Sequence, residues 1–174
     1  MDALQYPIGP HQKVLNSTYE ERLERIQKIE DFPQELKDFI APFDASKWEK
    51  SYRPGGWNAI QLVNHLADSH LHSYARFKHA VTEDKPTIKD YPEEIWASIK
   101  EGNRKESVAA SLLMIEGIHL RWSSFLKDLS PSDFDKTFYH PESKTHNSLH
   151  KALAYYSWHC DHHLGHLKII HEQA

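Results

Sequence analysis

Apolar residues recur at intervals of three and four in four long runs, and polar passages marked by Pro and Gly separate them. That spacing predicts four helices, each with one stripe turned inward. The first run carries Leu23, Ile26, Ile29, Leu36, Phe39 and Ile40. It should open at Ser17 or Thr18, since Ser17 followed by Glu20 fits a capping box, and extend to about Phe43. Pro33 lies inside it and predicts two segments or one bent helix. The second run starts from Asn58 as N-cap, with Gln61 three residues on, and continues to about Val81 through Leu62, Val63, Leu66 and Phe77. The third spans about Ser107 to Leu129, with Leu112, Ile115, Ile118, Trp122, Leu126 and Leu129 on one face. The fourth is capped by Asn147 or Ser148, and Leu149, Leu153, Tyr156, Cys160, Leu164 and Leu167 form its stripe.

Residues 1–16 read as an irregular arm broken by Pro7, Gly9 and Pro10. Between the first two helices, DASKWEKSYRPGGW is rich in turn residues. The polar stretch 82–105 is long enough to suggest a lid or crossover, and PEEIWASIK within it fits a short helix. A last loop, PSDFDKTFYHPESKTHNS, leads into the fourth helix, and no passage requires a strand. Four long helices with one short and two long connections predict an all-α four-helix bundle, read as a single domain over residues 1–174. A chain of this length can bury a full core without a structural metal, so any metal is expected to be functional.

Charge narrows the function classes. Net charge is -4, and the 21 Lys and Arg are scattered rather than banked, which argues against a nucleic-acid surface. No apolar run approaches the roughly 18–20 residues of a membrane span. The first ten residues lack the basic and apolar segments of a secretory signal, and a single cysteine excludes an internal disulfide. The expected location is the cytoplasm.

Histidine changes the picture most. Four of fourteen fall within YYSWHCDHHLGHLKII, residues 155–170. A helix permits two i, i+4 pairs there, His159 with His163 and His162 with His166. The apolar stripe turns the first pair inward and leaves His162 and His166 towards the polar side. Two inward imidazoles one turn apart offer a transition metal two ligands, but the same spacing serves two hydrogen-bonded core histidines equally well. The second helix, with His65, His70 and His72, is the natural source of a third ligand. Periodicity turns His70 most directly inward and puts His65 on the shoulder, so it does not single out His65.

Taken in order, YPIG (6–9), PGGWNAIQLVNHLADSHLHSYARFK (54–78), HLRW (119–122), FYHP (138–141) and YYSWHCDHHLGH (155–166) resemble the DinB-like superfamily and, within it, the YfiT-like metal-dependent hydrolases. The resemblance covers nearly the whole chain. It implies a four-helix bundle holding one divalent metal through three histidines, which match His65, His159 and His163 here. It also implies a homodimer, for which Trp48, Trp57, Trp96 and Trp122 are candidate surface anchors.

Three imidazoles leave a divalent ion, zinc or nickel, an open position. That predicts a hydrolase acting on a small molecule, with Asp68, Glu116 and Tyr156 as acid–base candidates. The alternative is a thiol S-transferase using bacillithiol or a similar low-molecular-weight thiol, with Arg76 and Arg121 available for its anionic groups. A further alternative is a non-catalytic metal-binding bundle. Asp161, Glu116 and backbone carbonyls are candidate acceptors for the ligands' outer ring N–H groups. Cys160 lies on the stripe as a small core residue rather than a nucleophile.

Overall fold

A computed structural model describes residues 3–173. Its long helices are α1 (Tyr19–Ile40), α3 (Ala59–Thr82), α5 (Ser107–Lys127) and α6 (Leu149–Glu172). Two short helices, α2 (Ala45–Trp48) and α4 (Glu93–Ser98), lie in the connections. Helix contacts run α1–α5, α5–α3, α3–α6 and α6–α1, so the four long helices close a four-helix bundle. Isoleucine, leucine and aromatic side chains fill its centre, with Ile29, Phe32, Leu36, Leu62, Ile115 and Trp122 fully buried.

Local chemistry explains the boundaries. Asn58 and Gln61 form the expected capping box at the start of α3. On α1 the box is formed by Thr18 and Glu21, one residue later than Ser17 with Glu20, and the Ser17 carbonyl instead accepts from Arg22. The helix continues unbroken through Pro33 and ends at Ile40. Asp44 then caps α2, a short helix within the passage read as rich in turns. Leu23, expected inside, is 44% exposed. Trp48 and Trp122 are core residues rather than surface anchors.

The last loop is not strand-free. A short 3-10 turn (Pro131–Asp135) leads into an antiparallel hairpin, β1 (Thr137–His140) with β2 (Thr145–Ser148). Four-residue strands are too short for an alternating pattern to stand out from a loop. Backbone bonds join this hairpin to the 82–105 connection, from Ile88 N–H to Tyr139 O (3.0 Å) and from Tyr139 N–H to Pro86 O (2.8 Å). Side chains of α3 hold the rest of that connection. Gln61 donates to Ala97 O (2.8 Å) and Asn64 to Gly102 O (2.9 Å), while His72 stacks on Tyr91 with ring centroids 4.3 Å apart. These contacts set α4 beside the histidines of α3 and α6.

Candidate metal centre

α3 and α6 pack side by side and bring His65, His159 and His163 together. His65 Nε2 lies 3.4 Å from His159 Nε2, and His163 Nε2 lies 3.1 Å from the same atom. A tetrahedral ion bound to imidazoles at 2.0–2.1 Å separates their nitrogens by about 3.4 Å, so the spacing fits one face of a coordination site. All three rings are buried. Burial, followed by the neighbouring imidazoles His162 and His166, pushes His65 down to about 3. Burial is also the main cause holding His159 and His163 well below the usual histidine range. The three are therefore neutral near pH 7, the form that can ligate.

The ambiguity between His65 and His70 has a geometric explanation, because both point inward. His70 sits behind His159 rather than beside it, with its Nε2 3.1 Å from His159 Nδ1 and its Nδ1 2.6 Å from His119 Nε2. His162 and His166, expected towards the polar side, are only 8% and 3% exposed. The N-terminal arm covers them. A Cβ on Gly165 would lie 2.8 Å from Pro7, so only glycine lets the arm approach α6 this closely. The Gln5 carbonyl lies 3.2 Å from His166 Nε2, and Trp158 donates to Gly9 O (3.3 Å). With His163, these two histidines make a second group able to hold an ion, and Asp90, His140 and Glu142 make a third.

A cavity of about 550 Å³ reaches His159 and is lined in part by Ser69, Arg76, Tyr91, Tyr155 and Tyr156. A smaller one, about 240 Å³, reaches all three histidines. Glu93 and Glu94 line both. Burial raises the Glu93 carboxyl, with Glu94 and Glu142 adding to it. Glu94 accepts from the Trp57 indole (3.0 Å). Sequence reasoning missed both carboxylates, although they belong to the short helix it placed in a candidate lid.

Other expectations separate clearly. Tyr156 lines the larger cavity beside His159. Asp68, raised to about 6 chiefly by burial, lines neither cavity. Glu116 is exposed and paired with Lys37, and Asp161 with Lys28, so neither backs a ligand. Arg76 lines the larger cavity, whereas Arg121 is exposed against Tyr74. Cys160 is fully buried and its thiol is pushed well up by burial, as suits a core residue.

A sequence model of the DinB superfamily matches residues 28–167. A Bacillus mycoides relative named "Putative metal-dependent hydrolase" is 43% identical over 173 residues, covering 99% of this chain and 98% of its own. Bacillus subtilis YfiT, which carries the same description, is 37% identical over 164 residues, with 94% and 92% coverage. The solved YfiT structure is described as that of a probable metal-dependent hydrolase with an unusual four-helix bundle topology. It superposes with a TM-score of 0.93 at 36% identity, covering 97% of this chain and 96% of its own.

Proposed function

Because this chain belongs to the DinB superfamily, we propose that it is a metal-dependent hydrolase of small molecules whose single divalent ion is held by His65, His159 and His163. The observation carrying this reading is the convergence of three buried, neutral imidazoles, two of whose Nε2 atoms lie 3.4 and 3.1 Å from the third. Zinc suits that donor set best, with nickel second. A divalent ion with an open position supplies Lewis acidity and lowers the pKa of water to about 7.

The chain's own residues carry the remaining roles. Glu93 faces both cavities with a carboxyl whose affinity for protons is raised, as befits a group that takes a proton and returns it to a leaving group. Trp57 holds the neighbouring Glu94, and the α3 amides hold the segment behind them, which limits the freedom of α4 at the site. The hydroxyls of Ser69, Tyr91 and Tyr156 add neutral polar contacts to a cavity that Arg76, Asp90, Glu142 and Lys151 also line.

One observation favours thiol transfer as a second reading. Arg76 lines the larger cavity, and its buried Nε has no hydrogen-bond partner among the described residues, so an anionic group on a co-substrate would satisfy it. The test begins with metal content: His65→Ala, His159→Ala and His163→Ala should each lose stoichiometric metal by elemental mass spectrometry, while His162→Ala keeps it. Full occupancy in any of the first three contradicts the ligand set. Zinc-loaded protein is then offered esters and amides beside thiol–electrophile pairs. Metal-dependent ester or amide turnover supports hydrolysis, metal-dependent conjugation supports transfer, and a metal-bound but inactive protein favours the non-catalytic bundle.

A further inference from the structure

Each histidine of α6 in the proposed ligand set is backed by other imidazoles, and each run of imidazoles ends on a backbone carbonyl. The first run begins inside α1. Pro33 has no N–H, so the carbonyl four residues earlier, Ile29 O, lacks its helical donor. His119 Nδ1 on α5 lies 2.5 Å from that carbonyl. A carbonyl can only accept, so Nδ1 carries the proton, and in a neutral ring Nε2 is bare. His70 on α3 must then donate from Nδ1 to His119 Nε2, which leaves His70 Nε2 bare in turn. That atom faces His159 Nδ1 at 3.1 Å, so His159 donates there and turns an unprotonated Nε2 towards His65 and His163. One chain of hydrogen bonds thus passes through all four long helices.

The second run has the same logic. Gln5 O of the arm accepts from His166 Nε2 (3.2 Å), so His166 Nδ1 is bare and accepts from His163 Nδ1 (3.3 Å). His163 Nε2 is then also unprotonated and faces the same space. The two roots belong to unrelated parts of the chain yet produce the same outcome. His65 differs, because its Nδ1 meets the Tyr91 hydroxyl at 3.5 Å, and a hydroxyl can donate or accept.

We propose that His70, His119 and His166 are positioning residues which, rooted on Ile29 O and Gln5 O, impose the Nδ1–H tautomer on His159 and His163 and so aim two Nε2 lone pairs at the metal position. The inference rests on the ligand set proposed above for its purpose, but the proton order itself can be read without metal. His70 and His119 are fully buried and line neither cavity, so water does not offer an alternative partner that would scramble the order of the first run.

Long-range 1H–15N NMR distinguishes the two histidine tautomers directly. In wild-type protein, with and without zinc, His70 and His119 should carry their proton on Nδ1 and His166 on Nε2. The opposite tautomer at His70 or His166 overturns the proposal. Zinc affinity, measured by competition with a chelating dye, supplies the second readout. His70→Leu should weaken binding 10- to 100-fold, the range found when partners of ligating histidines are removed. His70→Gln, which keeps an acceptor for His159, should recover most of that loss. His166→Ala should weaken binding by a similar factor without abolishing it. Equal losses in His70→Leu and His70→Gln, or none in either, refute the positioning role. Wild-type protein that takes up no zinc while showing the stated tautomers sinks the ligand assignment and bears out the proton order.

Discussion

Mild acid should unfold the metal-free protein, because its histidines are buried in their neutral form. His65 is pushed down to about 3 and His119 to about 4, while His70, His159 and His163 are held well below the ordinary value, with burial the leading cause in every case. Unfolded, each returns to about 6.5. Between pH 6.5 and the folded values the unfolded chain binds more protons, so stability rises with pH and is lost as pH falls through that window. From pH 7 to 5.5, each histidine that stays neutral in the native state lowers stability by a little over ~1 kcal/mol, and by pH 5 by a little under ~2 kcal/mol. Five such residues together lose about 6 and then about 9 kcal/mol, comparable with the roughly 5–15 kcal/mol that stabilises a whole domain. A proton shared between two facing Nε2 atoms would reduce the number to about four and shift the midpoint slightly downward. The expected result is an apo protein that loses helical circular dichroism near pH 5. Urea titrations in chelator at pH 7, 6 and 5.5 measure the slope. Unfolding free energies that agree within about 1 kcal/mol at pH 7 and 5.5 would refute the neutral-cluster reasoning.

Two further substitutions probe the surroundings. Glu93→Gln should lower turnover of the zinc-loaded protein by about 10²- to 10⁴-fold, the span typical of a lost acid–base group, and leave metal content unchanged; steady-state rates within twofold of wild type remove Glu93 from that role. Gly165→Ala should favour α6 itself by up to about 1 kcal/mol, yet its Cβ would meet Pro7 at 2.8 Å and push the arm away. Faster proteolysis at Lys13, without a fall in melting temperature, is the expected signature, and an unchanged cleavage rate would mean that the arm accommodates the methyl group.

The four long helices were legible because their stripes extend over many turns and their caps are chemical, as with Asn58 and Gln61 on α3. The departures have local causes. Ser17–Glu20 and Thr18–Glu21 satisfy the same capping pattern, and only the folded contacts of Ser17 select the later one. Leu23 follows the stripe of α1 but stands in its second turn, where it remains substantially exposed. His162 and His166 were placed by the periodicity of α6 alone, which cannot register an arm from more than 150 residues away closing over them. Glu93 and Glu94 escaped because a six-residue helix in a polar connection carries little periodic signal, and its place beside His159 depends on amide contacts from Gln61 and Asn64.

The proton order of the imidazoles was less accessible still, although its root is written in the sequence. Pro33 read as a point of weakness in α1, a residue that should break or bend the helix. The same missing N–H that weakens the helix leaves Ile29 O with capacity to spare in a fully buried setting, where a carbonyl needs a donor. His119, on the helix packed against α1, supplies it. From that single acceptor the protons of His119, His70 and His159 follow in turn, because each neutral ring offers one donor and one acceptor. Backbone carbonyls were among the acceptors anticipated for the ligands' outer N–H groups, yet here they act at one or two imidazoles' remove. Periodicity can state which face a histidine occupies, but which of its nitrogens is bare depends on the far end of a hydrogen-bonded run. In this protein one far end is a carbonyl freed by a proline and the other is a carbonyl of the N-terminal arm.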